Sequence, residues 1–465
     1  MGIIKFGTDG WRAIIAKDYT VDNVKRVSEA SAQWMLKNNM KQVVIGYDCR
    51  FGGELFSHTA ASVFGNYGIK VLMSKAFVST PMVSLAVVQT QSDLGVVITA
   101  SHNPPSYNGY KLKSKFGASS NPKEIAEVEQ IIPENPLGTM PTVKELEENG
   151  IISYIDMEEM YIQHVQKNFD LDLIKNSGVS LAYDAMYGAG QNVIKRLFPE
   201  ATLLHCEHNP LMDGQAPEPI RKNLLEISEV IKSSPSINLG LANDGDADRI
   251  GMLDENGEFV DSHHILLLLL YYQKELKNLD GKVVITFSVT DKMKKLAEHY
   301  DLDIEVTKIG FKYIAEIMIN EDIIVGGEES GGLAVKGHLP ERDGIWIGLM
   351  IMEFMAKTGK SISELIQDIY DKVGPFYYDR DDLHLTDELK NSIISKCAND
   401  EIPSIGDQKV LSVEKLDGFK FNLSEDEWIM VRPSGTEPVL RVYAQAANQQ
   451  RVKEILDAGR KTLQS

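Results

Sequence analysis

Three aspartates, Asp244, Asp246 and Asp248, alternate with small residues in one short segment. If the backbone curls into a turn there, side chains two residues apart can converge on one cation, and Mg²⁺ prefers such hard oxygen ligands at about 2.1 Å. A calcium EF-hand loop is the alternative, with the aspartates at its first, third and fifth positions and Glu255 at its twelfth. Because Arg249 stands where that loop needs glycine and the preceding residues are strand-like, the pattern favours a magnesium site.

Ser101 lies where an apolar, β-branched run ends and a segment of turn-forming residues begins. A buried strand that leads into a rigid loop can present a hydroxyl as a nucleophile or a phosphate carrier, although an ordinary strand exit has the same composition. A serine hydrolase fits less well, because no Gly-x-Ser-x-Gly elbow is present and His102 is too close in sequence to be assumed the base. A phosphorylated serine carries a charge of about −1.5 to −2, so carboxylates around it would favour phosphoryl transfer.

Two further loops combine polar side chains with glycine. Glu328 and Ser330 lie between glycine pairs, where a carboxylate and a hydroxyl would suit vicinal sugar hydroxyls; a glycine-rich connector is the alternative. The segment 432–436 contains a guanidinium, two hydroxyls and a glycine that would let backbone N–H groups approach an anion. It could hold a phosphate, and a plain turn between strands is the alternative.

Each motif needs a strand end to position it. Short apolar strands alternate with helical patterns, which predicts α/β units around largely parallel sheets with ligand sites at the carboxyl ends of the strands. Three times a buried strand leads into helical sequence and a second buried strand ends in a polar loop, so three similar domains could point three loops into one cleft. We expect a fourth, charged module with strands and a final helix. The predicted domains span residues 1–150, 151–257, 258–373 and 374–465.

The four motifs, in this order and at these separations, closely resemble those of the α-D-phosphohexomutase family, the phosphoglucomutases and phosphomannomutases. The resemblance extends from Phe6 to Arg441, nearly the whole chain. It implies three similar α/β domains with mixed, largely parallel sheets and a smaller α+β C-terminal domain around a central active-site cleft. The sugar loop is closer to the phosphoglucomutase version, because phosphomannomutase-type members often have histidine where Gly332 stands. His338 is a candidate substitute for that histidine.

The resemblance implies roles for individual residues. The implied catalytic residues are Ser101, as the phosphoserine, with Arg12, Lys111, His102 and Arg249. The implied metal ligands are Ser101, Asp244, Asp246 and Asp248. The implied substrate-binding residues are Glu328, Ser330, Lys308, Arg432, Ser434, Gly435, Thr436 and Arg441.

The activity implied by the resemblance is interconversion of glucose 1-phosphate and glucose 6-phosphate through a phosphoserine enzyme and a 1,6-bisphosphate. Mg²⁺ and glucose 1,6-bisphosphate, as activator and intermediate, are the implied cofactors. Phosphomannomutase or dual glucose/mannose activity stays open, because contacts to the 3- and 4-hydroxyls do not distinguish the configuration at C2, where glucose and mannose differ. A glucosamine substrate is disfavoured, because such enzymes typically have Gln at the Glu329 position. The alternative from another enzyme class is a metal-dependent sugar phosphatase. The aspartates here do not form the Asp-x-Asp-x-Thr/Val nucleophile pattern of such an enzyme, and a phosphatase would not need Ser101.

Composition limits the partners. The net charge of −19 argues against nucleic acid and anionic membrane surfaces, and a phosphate site must then be a local basic island. The longest apolar run, 265–272, is far shorter than the roughly 20 residues of a membrane span. Three scattered cysteines imply neither a disulfide framework nor a zinc site. We expect a cytoplasmic monomer or homodimer that binds a small phosphosugar and neither nucleic acid nor membrane.

Overall fold

The computed structural model describes residues 4–433 and 439–464, so the predicted phosphate-binding residues Ser434, Gly435 and Thr436 lie outside the described residues. Within the described part of the chain, none of the helices is long and apolar enough to cross a membrane. The residues form two compact units. One comprises the chain up to Gly281 together with Gly310–Leu365, and the other comprises Lys282–Ile309 together with the residues from Ile366 onward.

The first sheet belongs to the first unit. Its strands are β1 (Trp11–Ile14), β2 (Gln42–Tyr47), β3 (Lys70–Ser74), β4 (Leu94–Ile98), β5 (Tyr107–Ser114) and β6 (Ile152–Ile155). Its helices are α1 (Val21–Lys37), α2 (Gly53–Asn66), α3 (Thr80–Gln89), α4 (Pro122–Gln130) and α5 (Val143–Glu148). The strand order is β1-β5-β4-β2-β3-β6. Strands β4, β2, β3 and β6 are parallel, while β5 is antiparallel to both of its neighbours, β4 and the edge strand β1. All five residues of β4 are buried, as expected for a central strand with both faces covered.

The second sheet also belongs to the first unit. Its strands are β7 (Leu181–Asp184), β8 (Thr202–Leu204), β9 (Leu239–Asn243), β10 (Ile250–Leu253) and β11 (Phe259–Val260). The helices of this stretch are α6 (Met157–Asn168), α7 (Leu171–Asn176), α8 (Gln191–Leu197), α9 (Leu225–Ser233) and α10 (Ser262–Tyr271). The order is β11-β10-β9-β7-β8, with β9, β7 and β8 parallel. Because β10 returns antiparallel to β9, the aspartate segment forms the tight connection between them.

The next stretch contributes to both units. Its strands are β12 (Lys282–Thr286), β13 (Ile304–Thr307), β14 (Ile323–Gly327) and β15 (Leu333–Val335). Its helices are α11 (Lys292–His299), α12 (Phe311–Asn320), α13 (Gly344–Thr358) and α14 (Ile362–Val373). In the second unit β12 and β13 are parallel, and in the first unit β14 and β15 are antiparallel. The predicted sugar loop therefore joins two neighbouring strands.

The C-terminal stretch lies in the second unit. Its strands are β16 (Tyr377–His384), β17 (Ser404–Ile405), β18 (Gln408–Lys409), β19 (Ser412–Glu414), β20 (Phe419–Asn422), β21 (Trp428–Pro433) and β22 (Val439–Ala446), and its helices are α15 (Asp387–Ala398) and α16 (Gln449–Gln464). The main sheet, β16-β22-β21-β20-β19, is antiparallel throughout. Mixed α/β sheets followed by an α+β module confirm the predicted fold class. The first sheet includes β6, which begins at Ile152. The boundaries of the four predicted domains stay a prediction.

Candidate active site

Ser101 lies in the loop that follows β4, and its side chain is buried. Its backbone adopts a left-handed conformation, with a φ of +51°, which is uncommon for a residue other than glycine. Its Oγ donates a hydrogen bond of 2.7 Å to Asp244 Oδ2 and lies 3.3 Å from His102 Nδ1. The loop thus aims the serine hydroxyl directly at the aspartate segment.

The three aspartates are fully buried, and one oxygen of each lies within 4.8 Å of the others. One oxygen each of Asp246 and Asp248 (the two Oδ1 atoms) is buried without a hydrogen-bond partner. Burial, with repulsion from Asp248 and Asp246, raises the pKa of Asp244 well above its usual value. Unsatisfied buried carboxylate oxygens are costly, and a hard divalent cation would satisfy them. These residues therefore fit Mg²⁺, with Ser101 Oγ beside them.

Lysine and arginine side chains surround the carboxylates. Lys111, on β5, donates from Nζ to Asp246 at 2.8 Å and to Asp248 at 3.0 Å, and it lies 2.7 Å from Asp9 Oδ2. Burial alone would lower the pKa of Lys111, but the carboxylates outweigh it and raise that pKa. Arg342 also donates to Asp248 and Asp9, at 2.6 and 2.5 Å. Lys111 and Arg342 are thus both paired with carboxylates of this site.

Two further cations and a histidine surround the serine. Arg12, on β1, donates to Asn103 Oδ1 at 2.8 Å, next to the serine loop. The backbone N–H of Arg249 donates to Asp244 Oδ1 at 3.0 Å. Burial lowers the pKa of His102 well below its usual range, and the charges of Arg249 and Arg12 lower it further. His102 is therefore neutral at physiological pH and is positioned to exchange a hydrogen bond with the serine.

The predicted sugar loop closes the hairpin between β14 and β15. Glu328 is buried and its backbone N–H donates to Gly332 O at 3.0 Å, while Ser330 is half-buried. Burial raises the pKa of Glu328, and Arg342, whose Nη1 lies 4.0 Å from Glu328 Oε2, opposes that rise. Arg342 therefore connects the aspartate cluster to the sugar loop.

His338, the candidate substitute for a loop histidine, is engaged elsewhere. Its Nε2 lies 2.9 Å from Asp343 Oδ2 and its Nδ1 lies 3.3 Å from His164 Nε2. Its ring stacks on Trp346 at a centroid distance of 3.8 Å. These contacts occupy both ring nitrogens and one ring face of His338. The partner residues belong to α6 and to the start of α13.

The remaining predicted substrate residues lie in the second unit. Arg432 and Arg441 are directly opposite each other on the antiparallel strands β21 and β22, so their side chains leave the same face of the sheet. Arg432 lies 3.3 Å from Asp417 and Arg441 lies 3.8 Å from Asp382. Lys308 is exposed and follows β13.

Sequence reasoning missed three residues of this site. Arg342 is the clearest, because it contacts a carboxylate of the cluster and approaches the sugar loop. Asp9 accepts from Lys111 and Arg342, and Thr80 donates to Asp246 Oδ2 at 2.5 Å from the first turn of α3. The charged triplet Glu341-Arg342-Asp343 before an apolar helix was the available signal for Arg342. Nothing in the local sequence of Thr80 distinguishes it from an ordinary helix start.

Comparisons with known proteins agree along the chain. Models of the phosphoglucomutase/phosphomannomutase alpha/beta/alpha domains I, II and III match residues 4–138, 159–257 and 261–373, and the model of the C-terminal domain matches 395–461. A phosphoglucosamine mutase of Methanocaldococcus jannaschii is 32% identical, with 98% of this chain and 97% of that protein covered. This chain belongs to the phosphoglucomutase/phosphomannomutase family. A phosphoglucomutase/phosphomannomutase of Thermococcus kodakarensis is 29% identical over 99% of this chain and 98% of that protein.

The three-dimensional comparison gives the same result. A crystal structure from Thermus thermophilus, named as that of a candidate phosphomannomutase, superposes with a TM-score of 0.88 at 31% identity and covers 100% of both chains. Members of the phosphoglucomutase/phosphomannomutase family are intramolecular phosphotransferases that act on sugar phosphates, so this protein is an enzyme of that kind.

Proposed function

We propose that this enzyme interconverts glucose 1-phosphate and glucose 6-phosphate through a phosphorylated Ser101 and glucose 1,6-bisphosphate. The observation that supports this most strongly is the hydrogen bond of 2.7 Å from Ser101 Oγ to Asp244, inside a buried cluster of three aspartates. A phosphate on a serine among carboxylates is repelled by their like charge. The position therefore suits a phosphoryl group that must leave.

In the proposed cycle the Oγ–P bond of phosphorylated Ser101 breaks as a P–O bond forms to the free hydroxyl of the hexose phosphate, and the proton of that hydroxyl ends on Ser101 Oγ. The resulting bisphosphate reorients, and Ser101 takes the other phosphoryl group. Asp244, Asp246 and Asp248, with Ser101, would hold Mg²⁺, which when bound withdraws negative charge from the transferring group. Arg12 and Lys111 stabilise charge on that group, and His102 and Arg249 complete the catalytic centre.

The proposed substrate contacts divide the sugar phosphate into two parts. Glu328 and Ser330 hydrogen-bond the 3- and 4-hydroxyls, which keep the same chemistry in both orientations of the bisphosphate. The phosphate that is not transferred is held by cationic and hydroxyl groups, with Lys308 as a further substrate contact. The proposed phosphate-binding residues are Arg432, Ser434, Gly435, Thr436 and Arg441.

A second candidate substrate is glucosamine phosphate. The Methanocaldococcus jannaschii relative is named a phosphoglucosamine mutase, which favours this candidate, whereas Glu329 in the sugar loop favours glucose. Mannose phosphate is the third candidate, because hydroxyls at C3 and C4 are common to glucose and mannose.

The test is ³¹P NMR of the purified enzyme with Mg²⁺ and a catalytic amount of the matching 1,6-bisphosphate. Glucose, mannose and glucosamine 1-phosphates are supplied in separate tubes, and the S101A variant serves as the control in each. We expect conversion to the 6-phosphate, fastest with glucose, and none with S101A. Release of inorganic phosphate as the main product would contradict a mutase, and a faster rate with another sugar would reassign the substrate.

A further inference from the structure

Arg50 is a buried arginine that none of the predicted roles uses. It follows β2 and has an exposed fraction of only 2%. Its Nη2 donates to the carbonyl oxygens of Ser101 and Asn103 at 2.7 and 2.6 Å. Its Nη1 donates to the carbonyl oxygens of Pro104 and Tyr107 at 2.8 and 3.1 Å. One guanidinium therefore binds three carbonyls of the loop that carries the serine and the carbonyl of the first residue of β5.

A second chain of hydrogen bonds fixes the other side of the same serine. The backbone N–H of Ser101 donates to Thr99 Oγ1 at 2.9 Å, and Thr99 Oγ1 donates to Asp48 Oδ2 at 2.5 Å. Asp48 also accepts from the backbone N–H of Arg50 at 2.9 Å, and its Oδ2 lies 3.4 Å from Arg50 Nε. The N–H and the C=O of Ser101 are thus both anchored to the pair Asp48–Arg50.

This arrangement explains how a non-glycine residue keeps a φ of +51°. Such a conformation is strained and persists only when its surroundings determine it. Burial of a guanidinium is also costly unless it is paired and hydrogen-bonded, and Asp48 with four carbonyls provides both. Arg50 therefore has its terminal nitrogens directed at the protein backbone, so it is not part of the surface that would bind a phosphate.

We propose that Arg50 is a positioning residue, which holds the Ser101 loop so that Oγ is directed at Asp244. The proposal rests on the proposed function, since it concerns the orientation of the serine that carries the phosphoryl group. Lysine keeps the charge but lacks the planar fork that lets two nitrogens each bind two carbonyls. A displacement of about 1 Å at a reacting group reduces rates by about 10²-fold. R50K should therefore lower kcat by about 10²-fold.

The experiment compares wild type, R50K and a matched control, R26K. Arg26 is also a buried arginine of the first unit, on helix α1, and it donates to the Pro133 carbonyl and to Asn23 Oδ1 at 2.6 and 2.7 Å. Steady-state kinetics with glucose 1-phosphate give kcat and KM, and mass spectrometry follows the phosphorylation of Ser101 by glucose 1,6-bisphosphate. We expect R50K to lose kcat and serine phosphorylation rate about 10²-fold, with KM within about threefold and with R26K like wild type.

An R50K enzyme that is folded and has a kcat within about threefold of wild type overturns the proposal, and so does an equal loss in R26K. If R50K does not fold, D48N decides, because it removes the negative charge that pairs with Arg50 and that accepts from Thr99. A tenfold or larger loss of kcat in folded D48N supports positioning, and wild-type kcat contradicts it. Wild-type protein without any mutase activity would instead refute the proposed function, which keeps the two failures distinct.

Discussion

Gly245, between the first two aspartates, allows the aspartate segment to approach the serine loop closely. A Cβ atom built on Gly245 would lie 2.5 Å from the carbonyl oxygen of Ser101 and 3.1 Å from Pro217 Cγ. The carbonyl oxygen is backbone, held by Arg50, so it has little freedom to move away. The substitution G245A therefore forces the two loops apart at the point where phosphoryl transfer would occur.

The size of the effect follows from the distance. Ordinary van der Waals contacts of a Cβ atom begin at 3.4 Å, so the methyl group must gain about 0.9 Å of separation. Overpacking of this kind costs about 1–3 kcal/mol of folding free energy, which a domain of this size tolerates. A displacement close to 1 Å at the reacting groups costs about 10²-fold in rate. We expect a folded G245A enzyme with kcat reduced about 10²-fold.

The assay is steady-state turnover of glucose 1-phosphate with saturating Mg²⁺ and bisphosphate, with a thermal melt of each protein. G138A is the matched control, because a Cβ at Gly138 meets no atom within 4 Å, and it should keep wild-type kcat. The reasoning is refuted if G245A is folded and turns over as fast as G138A. An equally large loss in G138A would show that the methyl group acts by another route.

Three further predictions concern other parts of the molecule. D246N should weaken Mn²⁺ binding, measured by EPR titration, by about tenfold or more, because it removes an anionic ligand; an unchanged Kd would place the metal elsewhere. R432A should raise KM for glucose 1-phosphate about tenfold, because a hydrogen bond to a charged group contributes about 1.5–3 kcal/mol. The control is R451A, which removes an arginine that pairs with Glu427 in the same unit. Equal KM values in the two variants would contradict a phosphate contact. Burial, with the charge of His338, lowers the pKa of His164 from 6.5 to about 4, so the neutral ring stabilises the fold above pH 6.5 and this stability is lost as the pH falls toward 4. Because the ring is half-buried, we expect His164 to lower the free energy of unfolding by about 1–2 kcal/mol between these pH values. Urea unfolding at pH 7 and pH 4.5 should therefore show a larger loss of unfolding free energy in wild type than in H164Q.

The sequence predicted the features that follow from local pattern. The buried β4 run before Ser101 and the strand that ends at the aspartate loop needed only apolar periodicity and turn chemistry. The mixed α/β architecture followed in the same way, from strands that alternate with helices.

The features that were missed depend on tertiary contacts. Arg342 lies 94 positions from Asp248 in the sequence, and no spacing rule connects them. Arg50 looks like a surface charge after a strand until its four carbonyl partners are known. The engagement of His338 by Asp343 and His164 likewise arises only from packing of α6 against the start of α13.

The most direct test of the central claim is the site of phosphorylation. The enzyme is incubated with glucose 1,6-bisphosphate and Mg²⁺, digested, and mapped by mass spectrometry before and after addition of glucose 6-phosphate. We predict a single phosphate on Ser101 that is lost to the sugar phosphate at least as fast as kcat. Turnover without a phosphate on Ser101, or with a phosphate on another residue, would contradict the account.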